Sequence, residues 1–502
     1  MRCTTGIQQT ILSTAFALLF ANTGQAAAEL RDRPASFSMP SSTNGSLIKP
    51  PVAKPLDSNT PLKFATLDAP PAIEPLDPNA PSTSTKPEAP AIEPFDPNAP
   101  PRATIPIGPN LFIGGYLSLD GESNRNYRLS SHLGKADSIL TPNFAPAFAY
   151  EPNQYLQLYV NPILEIPIAV EEMEDRSQTT ELNMNLAFLT LKNLVPGAKL
   201  QVGRQRFIDS RRWLFNENMD AIRLGYQYEQ FSLELSVSQL NLVQRNLLRR
   251  EGEEDEETLI NYYAYADYKF GKNKKSHVGL FALYQDQQRL GTAQPIHVGL
   301  QSSGRLLSDL KYWLQASIVR GSEGGTRIRG EAIDVGLTQR FDGTWEPSVT
   351  VGYAYGTGDS NPDDNVDTRF RQTGFQGNSD KFNGVARFKY YGEVLDPRLT
   401  NLMIFTGGVG IKPFEKTSFD LVYHYYLQDH ASARIRGSAL DTDPAGLSKH
   451  IGSEVDFVAG YQGIPHLQTK FILGYFFPGS AFPETARDGA FLASMLLRYN
   501  FY

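Results

Sequence analysis

The chain has 502 residues, of which 20% are charged and 41% hydrophobic, with a formal net charge of −7 and a single cysteine. One cysteine excludes a disulfide framework and a cysteine-ligated cluster, and the acidic balance argues against a nucleic-acid binder. The main apolar run, Ile11–Ala21, is too short to cross a bilayer as a helix. What remains is a soluble extracytoplasmic β protein or a membrane β-barrel that hides its apolar surface by alternation.

Residues 1–28 read as a secretory signal peptide: Arg2, then the apolar run, then Ala26-Ala27-Ala28. Cys3 precedes the apolar core and leaves with the leader. Residues 29–107 form a separate zone, because nineteen of the 34 prolines fall between residues 31 and 110. The segment Ala72-Ile73-Glu74-Pro75-Leu76-Asp77-Pro78-Asn79-Ala80-Pro81 returns as Ala91-Ile92-Glu93-Pro94-Phe95-Asp96-Pro97-Asn98-Ala99-Pro100. Proline withholds backbone donors and the apolar content cannot build a core, so a disordered, extended periplasmic arm is expected. It serves either as a spacer or as a docking arm that presents Ile-Glu-Pro-(Leu/Phe)-Asp-Pro peptides.

From residue 108 to 502 the dominant period is 2. Phe231, Leu233, Leu235 and Val237 alternate with Ser232, Glu234, Ser236 and Ser238; Val349, Val351, Tyr353 and Tyr355 alternate with Ser348, Thr350, Gly352 and Ala354. Phe419, Leu421, Tyr423 and Tyr425 likewise oppose Asp420, Val422, His424 and Tyr426. A soluble sandwich also alternates. The recurring Gly, Ser, Gln and charge on one face suit a wet lumen, and tyrosines near segment ends suit interfacial girdles. The predicted fold is all-β: a transmembrane antiparallel β-barrel of about 18 strands. Pro196-Gly197 and Asp342-Gly343 mark short hairpins, whereas Glu251–Glu257 and Gly356–Asp367 read as long outer loops. The last segment places Phe491, Ala493, Met495, Leu497, Tyr499 and Phe501 opposite Ser494, Arg498 and Asn500, the pattern of a closing barrel strand.

The leader contributes +1 to the net charge, residues 29–107 contribute −2 and the barrel −6. Six carboxylates sit between Glu251 and Glu257, as a solvated loop or as a divalent-bridged contact at the lipopolysaccharide surface. Asp359–Asp364 begins like a calcium loop but lacks the sixth-position Gly, and Phe370 stands where the bidentate Glu belongs. Gly-x-Ser-x-Gly, His-Glu-x-x-His and P-loop motifs are absent, so no enzyme activity, cofactor or metal site is expected. The informative charges are basic residues of inward parity. Arg387 and Lys389 oppose Phe388 and Tyr390; Lys470 shares a face with His466 and Gln468; Arg223 and Arg340 add to the set. In a narrow low-dielectric lumen they focus positive potential on an anionic solute. The alternative is that they cancel against Glu234, Asp267, Asp334 and Asp420.

Leu200-Gln201-Val202-Gly203-Arg204-Gln205-Arg206-Phe207 resembles the Gly-Arg-Gln-Arg strand of the alginate-export outer-membrane barrel family. Phe370-Arg371-Gln372-Thr373-Gly374, Arg387–Glu393, Leu399–Leu402, Leu421–His424, Gly452–Asp456 and Lys470–Gly479 follow in the family's order. The resemblance implies an 18-stranded monomeric barrel in the outer membrane of a Gram-negative bacterium, an arginine-lined constriction, an acidic polysaccharide as cargo and a periplasmic TPR-bearing scaffold as partner. Matching selectivity positions are Arg206, Arg387 and Lys470, where the family shows arginine. Other family cations fall on Ser118, Ser379 and Asn185, and a family acidic residue falls close to Leu247, so the ring is partly preserved. The proline-rich arm lies outside the resemblance.

The expected pore-lining, substrate-binding cations are therefore Arg204, Arg206, Arg387, Lys389, Lys470 and Arg223. One parity conflict accompanies them. If Leu200 and Val202 face lipid, Arg204 and Arg206 point outward too, at a cost of about 2–4 kcal/mol each at mid-membrane. A bulge at Gly203 that turns both inward is expected. The leading function is secretion of an anionic exopolysaccharide through a cationic pore; the alternative is a general or uptake porin for oligosaccharides or small anions.

Overall fold

In a bilayer every backbone N–H and C=O needs a partner within the protein, and a sheet meets that demand only by closing on itself. The computed structural model describes residues 100–132, 136–170, 179–249, 259–271, 275–287 and 292–502. The signal peptide, nearly all of the proline-rich zone and the acidic run from Glu251 to Glu257 lie outside the described residues.

Eighteen antiparallel strands form the wall. They are β1 (Leu111–Arg125), β2 (Ala136–Asn153), β3 (Leu156–Glu165), β4 (Glu181–Lys192), β5 (Ala198–Ile208) and β6 (Asn216–Tyr228). Next come β7 (Phe231–Gln239), β8 (Leu259–Phe270), β9 (Ser276–Gln287), β10 (Gln294–Arg305), β11 (Leu310–Glu323) and β12 (Thr326–Arg340). The circle ends with β13 (Ser348–Gly356), β14 (Leu402–Ile411), β15 (Thr417–Gln428), β16 (His450–Tyr461), β17 (Leu467–Pro478) and β18 (Ala490–Phe501). Each strand pairs with its sequence neighbours, and β18 pairs with β1 from Gly115↔Phe501 to Arg125↔Phe491, which closes the barrel. Closure removes the unpaired edges that an open sheet would expose.

The alternation sorts as the sequence predicts. Ile222, Leu224, Leu235, Val237, Val351, Leu421 and Tyr423 are exposed on the lipid side, whereas Ser236, Ser238, Thr350, Asp420 and His424 are buried on the inner side. Pro196-Gly197 and Asp342-Gly343 sit in short turns at one end, with Gly197 at φ +83°. In outer-membrane barrels the short turns face the periplasm and the long loops face outward.

The inside is not an open tube. Two connections from the long-loop end fold down between the walls: the tip joining β5 to β6, and the 45 residues joining β13 to β14. Trp213, Phe215, Phe370, Phe382, Phe388, Tyr390 and Tyr391 from these segments are buried together with Trp313 of the wall. The outer loop expected at Gly356–Asp367 is thus the start of a much longer segment, and most of that segment is interior.

Candidate functional site

Gly203 positions the first in-folded segment. Its φ is +116°, and a Cβ there would lie 2.3 Å from the Ala187 carbonyl oxygen, so glycine is required. β5 pairs with β4 only as far as Ala187↔Arg204, while its pairing with β6 continues to Ile208↔Asn216. The upper part of the β5–β6 hairpin therefore leaves the wall at Gly203 and leans inward. The freed edge of β4 is taken by the connection after β7: Met184 N donates to Arg245 O and Leu247 N to Leu182 O, both at 2.8 Å.

This resolves the parity conflict by a route the sequence did not suggest. The bulge expected at Gly203 is replaced by unshifted pairing with β6, and both arginines keep the parity of lipid-facing Val202. Because the strand pair has left the wall, that face meets protein instead of lipid. Arg204 is buried in a bidentate pair with Asp220 (3.0 and 2.7 Å) and donates to Met184 O (3.1 Å) beneath the β7–β8 connection. Arg206, two residues further in, lines the main cavity.

The tip is fixed by polar bonds that few residues could replace. The Asp209 carboxylate accepts the N–H groups of Trp213, Leu214 and Phe215 at 2.8–3.0 Å. Arg211 crosses to Asp334 (3.5 Å) and Asp380 (3.2 Å), its guanidinium held between the Trp313 and Tyr390 rings at 4.4 and 4.0 Å. The 357–401 segment is anchored on both β15–β16 and β11. Glu454 of β16 accepts Val394 N (2.6 Å) and Leu395 N (3.0 Å), Ser418 Oγ accepts Val385 N (2.8 Å), and Phe382 stacks on Trp313 at 5.8 Å.

Between these segments and β17–β18 lies a cavity of about 650 Å³. Its lining reaches from Gln462 and Gln468 near the short-turn end to Gly437 in the connection after β15. Eight basic side chains contribute to it against two acidic ones, Glu393 and Asp396. Lys470 and Arg498 come from the wall; Arg206 and Arg212 from the β5–β6 tip; Lys381, Arg387, Lys389 and Arg398 from the 357–401 segment. Burial, then the neighbouring Arg387 and Arg206 guanidinium groups, pull the Arg212 pKa down to about 10. Lys389 pairs with Asp396 at 2.5 Å and Arg387 with Asp380 at 3.4 Å, while the Arg498 guanidinium sits 3.5 Å above the Tyr116 ring.

Of the six cations singled out from the sequence, Arg206, Arg387, Lys389 and Lys470 meet at this cavity. Two do not reach it. Arg204 is a buried staple, and Arg223 is held by Glu234 at 3.0 Å with its guanidinium 3.7 Å over Phe207. A further correction concerns how Arg387 and Lys389 get there. Their alternation with Phe388 and Tyr390 reads as a wall strand, yet the only pairing around them is Ser379–Asp380 with Phe388–Lys389, inside the folded-in segment. The alternation arises because one face of that segment packs on interior aromatics. Arg212, Lys381, Arg398 and Arg498 were not singled out. Only Arg498 carried a signal, its place on the polar face of β18; the others sit where periodicity says nothing.

Comparisons with known proteins agree with this architecture. The family model described as "Alginate export" matches residues 111–490. The alginate production protein AlgE of Azotobacter vinelandii is 30% identical over 173 residues, a match covering 30% of this chain and 35% of that protein. The chain thus matches about a third of that relative's length. Among solved structures, OccK1 (OpdK) of Pseudomonas aeruginosa superposes with a TM-score of 0.51 at 12% identity, covering 77% of this chain and 98% of that one. OpdQ of the same organism gives 0.50 at 12%, with the same coverage of both chains. At such identity the likeness to these two concerns the fold alone.

Proposed function

Because the chain belongs to the alginate export family and is an outer-membrane β-barrel, we propose that it secretes an anionic exopolysaccharide, a uronate polymer, through an electropositive cavity. The observation that carries this reading is the ratio of eight basic to two acidic side chains around a space whose lining extends between the two ends of the barrel. A uronate polymer bears one carboxylate per sugar. Within low-dielectric walls, fixed cations raise the local concentration of such a chain and exclude its counterions. Transport needs sites that bind well enough to admit the polymer and weakly enough to release it. The ion pairs Lys389–Asp396 and Arg387–Asp380 moderate the surplus in this sense. They also favour the second reading, a porin for oligosaccharides or small anions. The reading is of a passive channel without covalent chemistry. A periplasmic TPR-bearing scaffold is the expected partner on the short-turn face, with the barrel acting as a monomer.

The test is planar-bilayer recording on the purified protein. Anion-over-cation permeability, with block by oligouronates and none by neutral oligosaccharides of equal length, is the expected result. Cation preference without uronate block overturns the proposal.

A further inference from the structure

A second basic space opens inside the barrel near its short-turn end. It encloses about 360 Å³ between β10–β12 and the Asp380–Phe382 stretch of the folded-in segment. Lys275, Arg305, Lys311 and Lys381 line it, and Trp313 stacked on Phe382 gives it an aromatic wall. Its one lining carboxylate, Asp380, is already engaged by Arg211 (3.2 Å) and Arg387 (3.4 Å).

The pairing of the wall strands makes this arrangement informative. Arg305 and Lys311 are direct register partners across the β10–β11 turn. Like charges placed directly opposite each other on one face destabilise a sheet. The carboxylate within that turn, Asp309, pairs with Arg340 instead. The two cations donate to carbonyl oxygens: Arg305 to Ser308 O and Lys311 to Phe382 O, each 3.1 Å. A repulsive pair kept in the lining of a pocket fits a site completed by an anion.

We propose that this pocket is a second binding site, for one or two residues of a carboxylated saccharide, and that it loads the polymer from the short-turn side. The inference rests on the export reading given above. The volume suits a small sugar unit better than a bare inorganic anion, and the aromatic wall suits the apolar face of a pyranose ring. Lys381 lines both this pocket and the main cavity, so it bridges the two sites.

Calorimetry on the detergent-solubilised full chain with a uronate trisaccharide, and with inorganic phosphate as a control, tests it. Two equivalents are expected to bind the wild type. Lys275→Gln/Arg305→Gln should weaken one class of site at least tenfold and spare the other, which Lys470→Gln/Arg498→Gln should remove. Without ligand, Arg305→Gln should raise the midpoint of urea unfolding, because it relieves the repulsion with Lys311. A single equivalent lost only with Lys470→Gln/Arg498→Gln refutes the second site and leaves export standing. Phosphate binding as tightly as the trisaccharide refutes the saccharide assignment. No uronate binding to the wild type at all defeats the export reading itself.

Discussion

Reversing the charge of Lys470 probes the main cavity with little structural disturbance. Lys470 lies in β17, paired with Gly460 and Leu496, so Lys470→Glu leaves the anchors of the in-folded segments, such as Arg211–Asp380, in place. A sphere of 650 Å³ has a radius of roughly 5 Å, so each wall charge acts on a central ion with about 0.8 kcal/mol at the permittivity of water. Reversal changes the charge by two, or about 1.5 kcal/mol, and a screening length of about 10 Å at 0.1 M salt leaves about 0.9 kcal/mol. That is close to a fivefold fall in anion occupancy. Because K⁺ gains what Cl⁻ loses, reversal potentials under a KCl gradient should show the Cl⁻/K⁺ permeability ratio dropping about twentyfold, and more steeply at lower salt. An unchanged ratio in a variant that keeps its native heat-modifiable migration would refute the reasoning, since Lys470 would then not face the ion path.

Three further outcomes are expected. Gly203→Val places a Cβ against the Ala187 carbonyl at a φ of +116°, and should lower stability by about 2–4 kcal/mol in urea titrations; an unaltered midpoint would show that the hairpin does not depend on this hinge. Trp313→Ala removes the platform under Phe382 and the face that holds Arg211, so it should cost about 3–5 kcal/mol and raise single-channel conductance as the 357–401 segment loosens. Burial raises the Asp396 pKa to about 6 despite the Lys389 ammonium beside it. As pH falls from 7.5 to 5, the carboxylate takes up a proton and the cavity gains one positive charge. Anion selectivity should therefore rise over that interval, and Asp396→Asn should abolish the step.

The barrel was legible in the sequence because lipid imposes a strict two-residue period on every wall strand. Ile222, Leu224, Val351 and Tyr423 had to be apolar whatever the cargo, and their partners did not. The interior segment obeys no such external rule. Phe388 and Tyr390 alternate with Arg387 and Lys389 because one side of the segment packs on aromatics and the other meets the cavity, and this imitates a wall strand. Arg204 and Arg206 misled in the opposite sense. Their outward parity is real, but the strand carrying them has left the wall, and only the positive φ of Gly203 reveals where. Sequence spacing can register a period; it does not register a departure from the sheet that keeps the same register with one neighbour and drops it with the other.

The cations of the main cavity accordingly fall into two groups held by different physics. Lys470 and Arg498 are fixed by the hydrogen-bonded wall and hold their positions as long as the barrel exists. Arg206, Arg212, Arg387 and Lys389 ride on segments held by a few buried contacts, among them Arg211 between Trp313 and Tyr390, and Glu454 beneath Val394 and Leu395. If both segments yielded together when a polymer threads the pore, the wall cations would remain to guide it while the constriction widened. Weakening an anchor, as in Trp313→Ala, should therefore raise conductance more than it lowers anion preference, whereas Lys470→Glu should do the reverse. Opposite responses of these two variants would separate a channel whose selectivity is shared by wall and in-folded segments from one in which the in-folded segments alone select.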